Sequence, residues 1–326
     1  MSKFRVLLTR PLPGSNKMAQ LTDVVDVVNL NGRDPVPDDY AEVDGAIIVL
    51  PNRLSGDEIR AASRLRVVAS FSAGTDHIDV VAATERGVAV VSGQGGNANG
   101  VAEYTVALAI SAHRWLLPMS ASLEAGQLDW QGRIGKYWPM QEFAGSTLGL
   151  VGYGYTARAV EQAAAALGAK VIVFDPYVVR PNSVGSLDKL MTQSDTVSIH
   201  VPFNEQTRGL IGEKELLALG ANGVLVQASR GGVVNLEALA AVLKRGALKW
   251  AVLDVFDVEP PSNDVVQSLV STGRVTLTPH CAGVSAQGLE AMAQIAIDGV
   301  LGVLLRGEQP ATTVNPKVFS AKAGSR

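Results

Sequence analysis

The sequence predicts an α/β protein built from two doubly wound parallel-sheet domains. Three observations carry that reading. Short apolar runs of strand length alternate with helical patterns along most of the chain, the signature of a parallel sheet covered on both faces. The stretch from Thr147 to Asp175 runs strand, glycine turn, helix, strand, acid. The length, 326 residues, suits two domains that each bury a core.

Strand-like runs open the chain at Arg5–Thr9, Val24–Leu30, Ala46–Leu50, Val67–Phe71 and Val88–Val91. Polar loops and short helical patterns such as Ser55–Ser63 separate them, giving a first unit with no glycine fingerprint of its own. Gly93–Gly100 reads as a hinge or loop, and Val101–Pro118 as one long apolar helix leading into Trp115, Trp130 and Trp138. So much apolar surface exceeds what one small domain needs to cover, so the helix is expected at a subunit contact. Beyond the fingerprint, strand patterns recur at Thr196–Val201, Gly223–Ala228, Trp250–Val255 and Val275–Thr278. Helical patterns at Ser186–Gln193, Glu213–Leu219 and Asn235–Lys244 alternate with them, completing a sheet of five or six strands. An amphipathic helix at Ser285–Leu305 and a polar tail close the chain.

The fingerprint has a physical logic. Gly152 permits a tight turn, and Gly154 lets the backbone approach a pyrophosphate with no Cβ in the way. The following helix aims unpaired N–H groups and its positive end at the phosphates. Ala157 takes the third glycine position, where only close helix–strand packing is required. Asp175, about twenty residues on, is placed to accept hydrogen bonds from a ribose diol, and an acid there favours NAD over NADP. The bland alternative is an ordinary βαβ crossover.

Composition narrows the field. A net charge of −3 gives no basic stripe for nucleic acid or membrane. No secretory h-region precedes the first strand, and no apolar stretch is expected to reach membrane-spanning length uninterrupted. One cysteine, Cys281, excludes an internal disulfide and fits a reducing cytoplasm. The 4 histidines are scattered without ligand spacing, so no metal site is expected.

Three ionisable residues fall at strand ends in apolar surroundings: Arg230, Glu259 and His280. Each alone could be a solvated loop residue. Together they suit reduction of a 2-keto acid, in which a guanidinium holds the carboxylate and polarises the carbonyl. Histidine is a general acid for neutral pH, and a carboxylate beside it fixes its tautomer.

At these residues the chain resembles the D-isomer-specific 2-hydroxyacid dehydrogenases, the group of phosphoglycerate dehydrogenase and glyoxylate/hydroxypyruvate reductase. The resemblance covers nearly the whole length. It runs through Ser72–Asp79, Gly96-Asn97, Val101-Ala102-Glu103, the fingerprint, Asp195–Pro202, Ser229–Gly232, Leu253–Phe256 with Glu259-Pro260, and Thr278-Pro279-His280. It implies a Rossmann NAD domain, 97–283, inserted into a discontinuous flavodoxin-like substrate domain, 1–96 and 284–326, with closure by hinge motion. It makes Arg230, Glu259 and His280 the catalytic trio. It implies cofactor contacts at Gly152, Gly154, Tyr155, Thr156, Asp175, His200, Pro202, Thr207, Ala228, Ser229, Asp254 and His280, with Asp254 on the nicotinamide carboxamide. Ala73 and Gly74 match the loop whose amides hold the substrate carboxylate, and Asn97 lies near the cleft. The helix after Asn97 matches the dimerisation element, implying a homodimer. By the same comparison His200 is a structural or cofactor residue rather than the acid. His77 and His113 are expected to be surface or packing residues, and Cys281 a packed residue with no partner to activate it.

Departures from the family pattern are Gln227 for Asn, Asn235 for an acid, Tyr155-Thr156 for Arg-Ile and Tyr104 for His. The loop around Arg53 and residues near Trp138 should read the substrate side chain. Arg53 could pair with a phosphate, which keeps 3-phosphoglycerate as an alternative to a small 2-keto acid such as hydroxypyruvate or glyoxylate. The C-terminal regulatory domain of some phosphoglycerate dehydrogenases is expected to be missing. An NAD(H)-sensing corepressor resembling this family is the alternative of another class, and Arg180 leaves the strictness of the NAD preference open.

Overall fold

The computed structural model describes residues 3–12, 15–30, 33–127 and 140–323. The chain divides into two units, Met1–Asn97 with Val284–Arg326, and Ala98–Gly283. In the first, β1 (Arg5–Leu8), α1 (Ser15–Thr22), β2 (Asp26–Asn29), α2 (Pro37–Ala41) and β3 (Gly45–Ile48) are followed by α3 (Gly56–Ala61), β4 (Val67–Ser70), α4 (Val80–Glu85) and β5 (Ala89–Val91). All strands pair in parallel, in the order β2-β1-β3-β4-β5. Strands β3 and β4 are wholly buried, as expected of central parallel strands. Caps fit the local sequence: Ser55 Oγ accepts from Glu58 N while Glu58 reaches back to Ser55 N at 2.7 Å.

The second unit begins with α5 (Ala98–Arg114) and α6 (Leu116–Glu124). The single helix expected over Val101–Pro118 is therefore two. Trp115 breaks it at φ 54°, because Pro118 lacks an N–H for the Arg114 carbonyl and its ring would clash there. Trp115 packs edge-on against Trp250, ring centres 5.2 Å apart. Trp130 and Trp138 lie outside the described residues. Then come β6 (Thr147–Val151), α7 (Tyr155–Ala166), β7 (Lys170–Phe174), α8 (Leu187–Gln193), β8 (Thr196–Ile199), α9 (Glu213–Leu219) and β9 (Val224–Gln227). α10 (Leu236–Lys244), β10 (Trp250–Leu253), α11 (Asn263–Val270) and β11 (Val275–Leu277) complete the unit. Its 6-stranded parallel sheet has the order β11-β10-β9-β8-β6-β7, so the winding reverses between β6 and β8. A ligand crevice forms at the carboxyl ends of strands beside such a switch point. Most of α5 is consumed here: Ala102, Val106, Ala109 and Ala112 pack with Ala157, Val160 and Ala164 of the alanine-rich α7.

The chain returns to the first unit through α12 (Ala286–Leu301), a π-helical turn at Gly302–Arg306 and α13 (Lys317–Ala323). Two expectations are corrected here. Residues Ala286–Arg306 form one helix of 21 residues that is long and apolar enough to cross a bilayer. Its apolarity belongs to the core: Met292, Ala293, Ala296, Ile297 and Val300 pack on Val67, Ala69 and Val91 of the sheet. Gly299 sits so close that a Cβ would meet Val91 at 2.6 Å. The expected polar tail instead ends in a helix whose Val318 joins the same core. Asn315 pins that segment to the edge of the sheet, accepting from Val90 N at 2.8 Å and donating to Val88 O at 2.9 Å.

Candidate active site

The nucleotide fingerprint lies at the switch point of the second sheet. Gly152 adopts φ 88°, and a Cβ there would lie 2.8 Å from the His200 carbonyl oxygen, so only glycine fits between β6 and β8. Gly154 caps α7 without a side-chain bond, and a Cβ added to it would meet open space. That space over the helix N-terminus fits a pyrophosphate, with Tyr155 and Thr156 presenting the first N–H groups. Asp175 accepts from Tyr153 N and Tyr177 N, each at 2.8 Å, one bond per carboxylate oxygen. Each oxygen keeps capacity for a ribose hydroxyl. These residues fit NAD.

Two residues of the loops after β7 and β8 have jobs the sequence did not disclose. Thr207 Oγ1 donates to Pro202 O at 2.6 Å and accepts from Asn204 N at 2.9 Å, so it shapes the turn after β8. Tyr177 reaches across to Gln206 with a 3.2 Å hydrogen bond, joining the loops after β7 and β8. Arg180 lies over the Tyr153 ring at 4.5 Å and 3.9 Å from Glu161. His200 shares a 2.9 Å hydrogen bond with Ser198, and burial lowers its pKa to about 4.

The trio sits on loops from three adjacent strands. β9 leads to Arg230, β10 to Glu259 and β11 to His280. Glu259 Oε2 lies 2.6 Å from His280 Nδ1, and Glu259 Oε1 accepts from Phe256 N at 3.0 Å. The carboxylate is thus fixed before it fixes the imidazole, leaving Nε2 for a substrate. His280 adopts φ 51°, a left-handed conformation that side chains avoid. Asp254 organises that strained segment. It is 1% exposed, and its carboxylate accepts from Thr278 Oγ1 at 2.6 Å, Cys281 N at 3.0 Å and Ala282 N at 2.9 Å. The partners of the proposed carboxamide acid are therefore in the histidine loop, with Oδ2 retaining room for one more donor. The Sγ of Cys281 lies 3.1 Å from Tyr104 Oη. Desolvation raises the pKa of that phenol.

Arg230 is carried by a tight turn. A Cβ on Gly231 would lie 2.0 Å from Phe256 O, and Gly232 N donates to Asp257 Oδ1 at 2.8 Å. The arginine turn thus rests directly on the loop that carries Glu259. Ala228 and Ser229 lead into that turn. In the first unit, Ser70 is fully buried below the Ala73-Gly74 loop, accepting from Ser72 N at 3.1 Å and donating to Gly74 O at 2.7 Å. Among the described residues, the N–H groups of Ala73, Gly74 and Thr75 donate to no protein acceptor. Three successive free amides make a nest for a carboxylate. Arg53 is exposed and donates to Asp76 O at 3.2 Å. Asn97 closes this unit's first segment opposite Gly288. His77 and His113 are both packed, and no metal-binding cluster occurs among the described residues.

The sheet order, fingerprint and strand-end trio define an NAD-dependent α/β oxidoreductase. Residues 106–282 match the family profile described as D-isomer specific 2-hydroxyacid dehydrogenase, NAD binding domain. A glyoxylate reductase of Thermofilum pendens is 32% identical, covering 99% of this chain and 97% of that one. A D-3-phosphoglycerate dehydrogenase of Methanocaldococcus jannaschii is 30% identical over 98% of this chain but 61% of its own length. A crystal structure of a glyoxylate reductase from Paecilomyes thermophila superposes with a TM-score of 0.85 at 25% identity, covering 97% of this chain and 100% of that one. The chain belongs to the D-isomer-specific 2-hydroxyacid dehydrogenase family, and is an NAD-dependent enzyme acting on CH–OH donors.

Proposed function

We propose that this enzyme reversibly reduces a small 2-keto acid of the glyoxylate or hydroxypyruvate type with NADH. The observation that carries the reading is the 2.6 Å contact between Glu259 and His280 Nδ1, on the loop next to the Arg230 turn. NADH, when bound, supplies the hydride that the substrate's carbonyl carbon accepts. Arg230 holds the carboxylate and polarises the carbonyl. His280 gives its Nε2 proton to the carbonyl oxygen as the hydride arrives, and Glu259 holds the resulting neutral Nδ1–H tautomer in place. Balance is kept: keto acid, NADH and one proton become hydroxy acid and NAD. In reverse, His280 takes the hydroxyl proton.

Asp175 would take the adenosine ribose diol, and Asp254 the nicotinamide carboxamide through Oδ2. The reading includes a cytoplasmic homodimer joined through the helical segment after Asn97, where Leu116, Leu117 and Leu123 are exposed. The test is NADH oxidation followed at 340 nm over a panel of 2-keto acids that includes the phosphorylated substrate of the phosphoglycerate branch. Expected is turnover of a small keto acid, NADH preferred over NADPH, and loss of at least about a hundredfold in kcat/KM for Arg230→Ala. Preference for the phosphorylated substrate would move the assignment to the phosphoglycerate branch. NADH binding without any turnover would favour a sensing role.

A further inference from the structure

We infer that Gln227 is a positioning residue for Arg230, resting on the reading above in which Arg230 binds the substrate carboxylate. Gln227 ends β9 and is 2% exposed, and its carboxamide is engaged through both its nitrogen and its oxygen. Nε2 donates to the Arg230 carbonyl at 2.7 Å. Oε1 accepts from Ser229 N at 3.2 Å and from Ser229 Oγ at 2.8 Å. One side chain therefore ties the residue before the arginine and the arginine itself to the end of a central strand. The opposite side of the turn is held by Gly231 against Phe256 and by Gly232 N on Asp257. Gln227 on one side and the Phe256 backbone with the Asp257 carboxylate on the other act as the two jaws between which the Arg230 backbone is fixed.

The arrangement specifies what the side chain must be. A donor and an acceptor are needed on one planar group, because the arginine carbonyl must be bonded and the Ser229 amide must bond. Leucine or methionine of similar volume would leave both part-buried groups without this partner. Asparagine presents the same two groups from a stem one methylene shorter, so it can bond one end of the turn but not span both in this backbone. Gln227 thus sets where the guanidinium starts from, without touching substrate or cofactor.

The experiment is a double-mutant cycle on the full-length enzyme, read by binding. Dissociation constants for oxamate, an unreactive 2-keto-acid analogue, are measured on the NADH complex by fluorescence, alongside that for NADH itself. Gln227→Leu is expected to weaken oxamate by at least about tenfold and to raise KM for the keto acid more than it lowers kcat, with the NADH constant within about twofold. Gln227→Asn is expected to fall between, and it serves in the same cycle if the leucine variant does not fold. In an Arg230→Ala background either substitution should cost nothing further. A glutamine substitution that weakens NADH as much as oxamate, or whose cost persists without Arg230, would overturn the inference. Arg230→Ala that leaves oxamate binding intact would instead sink the assignment of Arg230.

Discussion

Burial decides the charge state of His113, and it gives the molecule an acid sensitivity away from the catalytic residues. The ring is fully buried on α5, with Nε2 2.7 Å from Thr196 Oγ1 and Nδ1 without a partner. Desolvation, helped by Lys249 and opposed by Asp195, lowers its pKa from 6.5 to about 4. The unfolded chain therefore binds a proton that the fold refuses between those values. His113 adds full stability above pH 6.5, and that contribution falls as the pH drops toward 4, by about 2 kcal/mol at pH 5. His113→Leu should flatten this loss, measured as urea midpoints at pH 7.5 and 5. An unchanged difference between the two pH values would show that other groups carry the slope. At this scale the catalytic candidates were legible because Arg230, Glu259 and His280 are ionisable residues at the ends of apolar strands. Ser70 was not, since its importance lies in the backbone groups it bonds after the chain turns, nor was Tyr177, whose partner Gln206 lies on another loop, and Gln227 showed only as a departure from the family's Asn.

Elements met their sequence signals where periodicity and burial agree. Every strand of both sheets lies on an expected apolar run, most clearly the central ones, because a parallel strand buried on both faces leaves an uninterrupted apolar signature. The misses have local causes. A proline three residues into the next helix broke the long helix at Trp115, and Lys317–Ala323 was masked as a polar tail because its anchors are few. The same scale explains how the trio is held, because close backbone approach joins the loop after β9 to the loop after β10. Gly231→Ala would place a Cβ 2.0 Å from Phe256 O, forcing apart the Arg230 turn and the Glu259 loop. Expected are a loss of about 1–3 kcal/mol in stability and a fall in kcat/KM beyond what that loss explains at a temperature where the variant is fully folded. Gly185→Ala, whose Cβ would meet nothing within 4 Å, is the control and should leave both unchanged. Equal activity of the two variants would mean that the turn and the loop need not touch.

For the whole molecule the open question is what covers α6. The apolar surplus read after Asn97 divides in two once the structure is considered. The α5 share is spent inside its own unit, against α7 and the sheet. None of α6 is buried, and Leu116, Leu117 and Leu123 expose 59%, 43% and 50% of their surface. A helix with no fully buried residue and three leucines exposed among the described residues gains stability from whatever else covers it. A second copy is the occupant that the reading above assigns. The consequence is specific: charge placed on α6 should separate subunits without disturbing the NAD fingerprint, which is built from β6, α7 and β7. Leu117→Asp with Leu123→Asp should halve the mass measured by light scattering at micromolar concentration, while NADH still binds within about twofold of the parent, because buried charge opposes association but not the core. A parent enzyme already monomeric at that concentration would remove the dimer from the reading. A dimer that survives both aspartates would place the contact elsewhere on the segment after Asn97.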